Sequence, residues 1–260
     1  MLSSTDQWKN QDKEYHEDSH VVESFDRRIV RKYRHEHKFY TIDRWVSELK
    51  ANNAKVVMDY GCATGTASLA LLRNGMKAVS VDASAKMLKQ VENKASLEGL
   101  KAETVMCDVE QMPFENKSFD GIMCLGVLHH LPNIPKAIEE QIRVLKTGGM
   151  LFISEPLRDK PWISYPYYSL LEVIKFLVRI IKREKVSTPE RTLTDSDIKD
   201  IKTIFDHYGI EYEITYFIYW SNLFGYMPEV IAYPMIRLVN YINKNSSRGD
   251  AIFIKARIRL

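Results

Sequence analysis

The chain has 260 residues, 45% hydrophobic and 27% charged, which is the size and composition of one globular domain with additions. Its net charge of +3 is too small to indicate nucleic-acid binding, since that requires a clustered basic face, and no nucleic-acid partner is expected. Three cysteines without CxxC spacing indicate reduced packing residues. The N-terminus is too polar for a signal peptide, and no apolar run approaches the roughly 18 residues of a membrane span, so we expect a cytoplasmic protein.

The first segment, residues 1–50, is polar and aromatic, with apolar residues at helical spacing such as Val22, Phe25, Ile29 and Tyr33. This spacing predicts two or more helices before the first strand. We expect these helices to form a lid on the domain that follows.

Strands and helices then alternate between residues 51 and 156. Strands are predicted near 55–60, 77–82, 102–107, 119–125 and 149–155, and helices near 64–74, 84–97 and 134–145. Such alternation predicts a parallel sheet covered on both faces, a doubly wound α/β fold. Ligands bind at the carboxyl ends of the strands in such sheets.

The most informative segment runs from Val56 to Thr66, VVMDYGCATGT. A short apolar strand stops at Asp59 and breaks into a glycine-rich turn before a helical pattern. Such a turn brings backbone N–H groups and a helix N-terminus close to a ligand, as in nucleotide sites. Gly61 and Gly65 supply the positive φ and the missing Cβ that close approach requires, and Ala63 is nearly as small.

Two further acids end the next strands. About twenty residues beyond the turn, KAVSVDAS contains Asp82, where such folds place an acid on ribose hydroxyls. The following strand, AETVMCDV, ends in Asp108. A dinucleotide dehydrogenase would have glycine where Thr66 stands, and it has no standard use for Asp108. The order of acids therefore favours a nucleoside without a pyrophosphate.

Four motifs between Ala54 and Pro156 resemble those of the class I S-adenosylmethionine-dependent methyltransferases, in the same order. DYGCATG is similar to the first motif, VDAS to the acidic loop, CDVEQMPFENKSFDGIMCLGVLHHL to the adenine loop and fourth strand, and RVLKTGGMLFISEP to the fifth strand. The combination is more specific than any single motif. Ala63 departs from the usual glycine, and its small size leads us to expect no loss of cofactor binding.

The resemblance implies S-adenosylmethionine as cofactor and a role for each acid. Asp59 would order the glycine turn and help recognise the cofactor's amino group, with helix capping as the alternative. Asp82 would accept from the ribose hydroxyls and Asp108 from the adenine amine, although aspartate is also common in turns. Met87 would pack on the adenine or belong to the core. The predicted cofactor-binding set is Asp59, Gly61, Cys62, Ala63, Gly65, Asp82, Ala83, Met87, Asp108, Val109 and Gly126.

His129 and His130 follow the fourth predicted strand, which places at least one ring near the rim of the site. Because histidine can take up a proton near neutral pH, either is a candidate general base toward the methyl acceptor. The alternative is that neither is catalytic, since methyl transfer chiefly needs in-line geometry and exclusion of water. No cysteine or carboxylate completes a zinc spacing, so no metal is expected.

Two helical inserts, at 157–190 and 221–246, interrupt the pattern after the fifth strand, and we interpret them as a cap over the acceptor. An amphipathic helix in the first insert carries a basic face, which allows either peripheral membrane contact or a homodimer through the cap helices. Aromatic residues available for an acceptor pocket are Tyr15, His16, Phe25, Trp162, Tyr165, Tyr167, Tyr168, Tyr219, Trp220 and Phe224.

Between the inserts, Thr194 and Asp197 have capping-box spacing at the start of a helix that stops at Gly209. Strands are predicted at 211–220 and 250–260. In the resembled family these two strands form a hairpin. The resemblance therefore implies a Rossmann-like, seven-stranded, mostly parallel sheet with one antiparallel strand.

We therefore predict a single methyltransferase domain over residues 1–260, with its cofactor-binding core at 51–156. It would transfer a methyl group by in-line displacement to a small-molecule or lipid-like acceptor, and PFENKSFDGIMCLGVLHHLPN is most similar to the quinone and sterol branch. One alternative is a non-catalytic partner protein that binds S-adenosylmethionine. Another is an RNA or protein methyltransferase, although LGVLHH stands where exocyclic-amine enzymes carry an Asn/Asp-Pro-Pro-aromatic tetrapeptide.

Overall fold

The computed structural model describes residues 4–23, 32–157, 192–217, 234 and 251–259. Most of both predicted cap inserts lies outside these residues. The predicted amphipathic helix and the predicted acceptor-pocket aromatics other than Tyr15 and His16 lie outside them as well. Within the described ranges, none of the helices combines the length and the apolar character needed to span a bilayer.

Seven strands form one sheet with the order β3-β2-β1-β4-β5-β7-β6. They are β1 Val56–Tyr60, β2 Lys77–Asp82, β3 Glu103–Met106, β4 Phe119–Leu125, β5 Leu145–Pro156, β6 Glu211–Phe217 and β7 Ala251–Arg257. Strands β1 to β5 pair in parallel, whereas β7 runs antiparallel to both β5 and β6. The predicted seven-stranded, doubly wound sheet with one antiparallel strand is confirmed.

The helices on the two faces are α1 Ser4–His16, α2 Lys32–Ala51, α3 Thr66–Arg73, α4 Ala85–Leu97, α5 Ile134–Val144 and α6 Asp195–His207, with a 3₁₀ turn at Leu128–His130. Local signals explain where several of them begin. Ser84 caps α4 by accepting from the Met87 N–H, and Thr194 caps α6 in the predicted capping box with Asp197.

Both faces of the sheet are buried, and neighbouring residues of β1 contribute to different halves of the core. Met58 and Tyr60 belong to the cluster that includes α5 and α6, whereas Val57 belongs to the cluster on the side of α2 and α3. In the second cluster the Trp45 ring stacks on Phe152, with centroids 5.0 Å apart. Burial on both sides explains the nearly continuous apolar runs of the strands and holds their carboxyl ends in place.

Two elements begin two or more residues away from the predicted position. Helix α3 begins at Thr66 rather than near 64, because Ala63 and Gly65 adopt left-handed conformations that a helix cannot include. Strand β5 begins at Leu145 rather than near 149, because Leu145 already pairs with Phe119 before an irregularity in the ladder.

Candidate functional site

The carboxyl ends of the central strands open onto a cleft with a volume of about 140 Å³. The cleft lies where the strand order reverses between β1 and β4, which is where open α/β sheets bind ligands. Helix α1 covers it. The lining residues are Asp12, His16, Asp59, Gly61, Cys62, Ala63, Thr66, Ala67, Asp82, Ala83, Val109, Leu125, Gly126, Val127, His130 and Leu131.

The turn after β1 forms one wall of the cleft. Gly61, Ala63 and Gly65 all have positive φ, at 65°, 46° and 84°. A Cβ on Gly61 would lie 2.5 Å from Val127 Cγ2, so only glycine lets the turn approach the loop after β4. Ala63 adopts its left-handed conformation with a Cβ present, which costs an L-residue about 1–2 kcal/mol. The departure from glycine is therefore accommodated with some strain.

The Asp59 carboxylate connects the strand before this turn to the helix after it. Asp59 is 3% exposed, and its Oδ2 accepts from the Ser68 N–H at 2.8 Å and the Ser68 hydroxyl at 2.6 Å. Gly65, the residue at the N-cap of α3, has no side chain to cap the helix. Asp59 supplies the missing acceptor from β1. It therefore both orders the turn and caps the helix, two roles that the sequence offered as alternatives.

Asp82 is held by the turn and presents acceptors to the cleft. Its Oδ2 accepts from the Ala63 N–H and its Oδ1 from the Ser84 N–H, both at 2.9 Å. Burial raises the pKa of the Asp82 carboxyl above its usual range, although these two N–H groups act in the opposite direction. Each carboxylate oxygen has two lone pairs, so both retain capacity for a further donor. This arrangement fits the paired hydroxyls of a ribose.

A lysine of α1 forms ion pairs with the loop after β3. Lys9 Nζ lies 2.7 Å from Asp108 Oδ2 and 2.6 Å from Glu110 Oε2. Burial lowers the pKa of Lys9, but its hydrogen bonds to the two carboxylates outweigh this effect and raise it. Val109 lines the cleft, and its carbonyl accepts from the Tyr60 hydroxyl at 3.0 Å. Lys9 thus donates to the carboxylate that the resemblance assigns to the adenine amine.

Four residues of the predicted site do not line the cleft: Gly65, Met87, Asp108 and His129. The Met87 side chain is fully buried in the first turn of α4, which supports the core alternative of the two considered from the sequence. Gly65 lies behind the turn, where a Cβ would come within 2.8 Å of Val91.

His129 is held by a buried glutamate at the carboxyl end of β5. Its Nδ1 lies 2.8 Å from Glu155 Oε2. The other oxygen of Glu155 accepts from the N–H groups of Val127 and Leu128 at 2.7 and 2.8 Å. Glu155 is 1% exposed, so this carboxylate fixes the loop after β4 together with the ring of His129.

His130 lines the cleft and contacts α1 at two points. Its Nδ1 lies 3.1 Å from Asp12 Oδ1, and its carbonyl accepts from the Trp8 indole N–H at 2.9 Å. The rings of His129 and His130 have centroids 4.1 Å apart. Each histidine therefore has its own carboxylate, one from the sheet and one from the covering helix.

Asp12 and His16 form the charged part of the contact between α1 and the cleft. Burial would raise the pKa of the Asp12 carboxyl, but hydrogen bonds to His130 and His16 lower it well below its usual range. Burial lowers the pKa of His16, but the hydrogen bond and charge of Asp12, with the charge of Asp82, raise it above 6.5. The structure thus pairs an anionic Asp12 with two imidazoles.

The sequence reasoning missed Trp8, Lys9, Asp12 and Glu155. An acid and a histidine four residues apart on a predicted helix, Asp12 and His16, were a readable signal of an ion pair. Glu155 lies inside the quoted fifth-strand motif, but its role depends on a loop that is distant in the sequence.

Comparisons with known proteins agree with this geometry. Residues 58–153 match a protein family described as a methyltransferase domain. An uncharacterized protein of Methanocaldococcus jannaschii is 33% identical over 153 residues, which are 58% of this chain and 54% of that protein. A ubiquinone biosynthesis O-methyltransferase of Coxiella burnetii is 29% identical over 111 residues, which are 43% of this chain and 47% of that protein. The chain thus spans about half the length of these relatives.

The fold is shared with solved structures. A structure from Thermotoga maritima, described as an S-adenosylmethionine-dependent methyltransferase, superposes with a TM-score of 0.59 at 17% identity. The similarity covers 94% of this chain and 99% of that one. At this level of identity the comparison establishes the fold alone.

We expect Gly61→Ala to destabilise the protein more than Gly75→Ala. Both glycines have positive φ, so alanine is strained at either position. At Gly61 the new Cβ would also lie 2.5 Å from Val127, whereas nothing lies within 4 Å at Gly75. Urea denaturation should show a further loss of about 1–3 kcal/mol for Gly61→Ala. Equal losses would mean that Val127 moves aside without cost.

We also expect the docking of α1 to weaken as pH rises. The folded pKa of His16 lies above 6.5, so its stabilising contribution is complete below about pH 6.5 and is lost as pH rises through the folded value. Asp12 has a lowered pKa, so its contribution to the stability of the contact is complete above about pH 3.8 and is lost only in stronger acid.

Hydrogen exchange of the α1 amides, corrected for intrinsic rates, measures this dependence. Protection in the native chain should fall as the pH rises above about 6.5, and His16→Gln should remove most of the fall. An undiminished fall in the variant would contradict the assignment of this pH dependence to His16.

Proposed function

We propose that this chain, whose residues 58–153 match a methyltransferase domain family, is a class I S-adenosylmethionine-dependent methyltransferase that transfers a methyl group from S-adenosylmethionine to a small-molecule acceptor. The observation that carries the proposal is the convergence of Asp59, Asp82 and His130 on one cleft at the switch point of the sheet. The name of the C. burnetii relative, a ubiquinone biosynthesis O-methyltransferase, supports a small aromatic or quinone-like acceptor.

The residues around the cleft fit the cofactor. The turn at Gly61 allows close backbone approach, Asp82 offers acceptors to ribose hydroxyls, and Val109 with Asp108 lies on the side expected for adenine. When bound, S-adenosylmethionine supplies a methyl group on a positively charged sulfur that is an excellent leaving group. The protein's remaining task is to orient the acceptor and to exclude water.

Helix α1 is the part of the described structure suited to excluding water. The cleft of about 140 Å³ is smaller than the roughly 300–1,000 Å³ of sites that take drug-sized ligands. Outward movement of α1 would widen the cleft for a ligand of that size. Some contacts of α1 are polar and partly exposed, such as Lys9 with Asp108, and a pair of this kind can break and re-form at low cost.

His130 is the residue we assign as base toward the acceptor. Its ring lines the cleft, whereas His129 is turned toward Glu155 and does not line it. With Nδ1–H donated to Asp12, Nε2 of His130 is the nitrogen able to take a proton. An acceptor whose attacking atom carries no proton would need only the orientation and the dry environment.

The function is tested by an acceptor screen with labelled methyl donor, after mass spectrometry of any ligand that co-purifies with the chain. Label transferred to one class of small acceptors supports the proposal. Tight binding of S-adenosylmethionine without transfer to any acceptor would favour a non-catalytic binding protein. Transfer only to RNA or protein would favour the other alternative.

We expect Asp82→Ala to weaken binding of S-adenosylmethionine or its demethylated product. Loss of the carboxylate removes hydrogen bonds worth about 1.5–3 kcal/mol, or one to two decades in Kd. Calorimetry measures the change, with Asp200→Ala on the exposed surface of α6 as a control of equal charge change. An unchanged Kd in Asp82→Ala would contradict the assignment of this residue to the cofactor.

We expect His130→Ala to lower kcat by roughly a hundredfold, because the proton acceptor is lost, and to leave the Kd of the cofactor nearly unchanged, because the cofactor contacts are assigned to other residues. His129→Ala should lower kcat less, since His129 does not line the cleft. Steady-state kinetics with the acceptor found in the screen measure both. Full activity in His130→Ala would leave orientation and exclusion of water as the source of catalysis.

A further inference from the structure

We propose that Asp12 is a positioning residue for His130, delivered to the site by the docking of α1. Asp12 would fix the tautomer of the imidazole and balance the charge that His130 gains on taking a proton. The inference rests on the proposed methyl transfer for its chemical step, whereas the pairing itself can be tested without turnover.

The geometry of the contact carries the proposal. His130 Nδ1 lies 3.1 Å from Asp12 Oδ1, and Trp8 on the same helix donates to the His130 carbonyl at 2.9 Å. An ionised carboxylate only accepts hydrogen bonds, so Nδ1 carries a proton, and in the neutral ring Nε2 then carries the lone pair. Helix α1 therefore holds both the backbone and the ring of the residue that faces the cleft.

The surroundings keep Asp12 anionic. The pKa of its carboxyl is well below the usual range, because hydrogen bonds to His130 and His16 outweigh the effect of burial. The charge of Asp82 acts on His16 across the cleft, and Glu155 is already bonded to His129. Asp12 is thus the carboxylate assigned to His130.

The position of Asp12 in the chain makes this assignment conditional on docking. Asp12 lies 118 residues before His130, on a helix that reaches the core through polar contacts. Lys9 holds Asp108 and Glu110, and the Ser84 hydroxyl donates to the His16 carbonyl at 3.1 Å. When α1 leaves, His130 loses both its carboxylate and its backbone contact. Closure of the cleft and preparation of the base are therefore the same event.

The step that Asp12 would assist is methyl transfer coupled to loss of a proton from the acceptor. The attacking atom of the acceptor bonds to the methyl carbon while the carbon–sulfur bond breaks, and that bonding pair stays on sulfur. The proton of the attacking atom passes to Nε2 of His130. Positive charge thereby moves from sulfur to the imidazolium, next to the Asp12 carboxylate.

Three variants of α1 separate positioning from simple closure. Asp12→Ala removes the carboxylate, and Asp12→Glu keeps it on a longer side chain. Trp8→Phe removes the indole hydrogen bond to the His130 carbonyl and leaves the imidazole pair intact. Glu14→Gln, on the exposed surface of the same helix, controls for the loss of one negative charge.

Two measurements are made on each variant. The first is the tautomer of His130 in the ligand-free protein, read from imidazole ¹⁵N shifts and assigned among the seven histidines with His130→Gln. The second compares kcat with the Kd of S-adenosylmethionine. We expect Asp12→Ala to mix the tautomers and to lower kcat by roughly tenfold to a hundredfold, with a Kd change below about twofold.

We expect Asp12→Glu to recover part of kcat, Trp8→Phe to keep the tautomer of the native chain, and Glu14→Gln to match the native chain in both measurements. An unchanged His130 tautomer in Asp12→Ala would overturn the proposal. An equal loss of kcat in Trp8→Phe and Asp12→Ala would also overturn it, because Asp12 would then act only in closure. If the native chain methylates no acceptor, the proposed function fails, and the tautomer alone decides whether Asp12 positions His130.

Discussion

The Asp59 carboxylate, 3% exposed and bonded twice to Ser68, is the interaction on which the arrangement of the site depends. A buried carboxylate without partners would cost several kcal/mol, so its bonds to the first turn of α3 hold strand, turn and helix together. The glycine-rich turn then places the Ala63 N–H where it donates to Asp82. The position of the acid proposed for the ribose thus follows from the burial of another acid on the neighbouring strand.

The carboxylates around the cleft fall into two physical classes. Asp59, Asp82 and Glu155 accept from backbone N–H groups of the scaffold, and such bonds persist as long as the sheet is folded. Asp12 and Asp108 differ because they pair with side chains across the contact with α1, although Asp108 Oδ1 also accepts from the Glu110 N–H at 2.9 Å. Partly exposed pairs of this kind contribute about 0–1 kcal/mol each, so the covering helix can open without unfolding the core.

Much of the sheet and the glycine turn could be predicted because their signals are local. Apolar runs marked β1 to β5, and glycines with acids marked the strand ends, since each feature lies within a few residues. The contacts of α1 could not be predicted in this way, because Lys9 meets Asp108 at a separation of 99 residues and Trp8 meets His130 at 122. These are single polar contacts without any periodic pattern. Met87 was ambiguous for another reason, since an apolar helical residue suits a core and an adenine face equally.

Lys9 connects a buried and an exposed carboxylate beside the part of the cleft proposed for adenine. Lys9 is one cation facing two carboxylates, and Glu110 is the buried member of the pair, at 2% exposure against 44% for Asp108. Glu110 also accepts from the Asn133 N–H at 2.9 Å, which ties it to the start of α5. Because a lysine ammonium has three donors, Lys9 can stay bonded to Glu110 while Asp108 turns to another amino group. Helix α1 is therefore anchored on Glu110, which does not line the cleft and is not available to a ligand there.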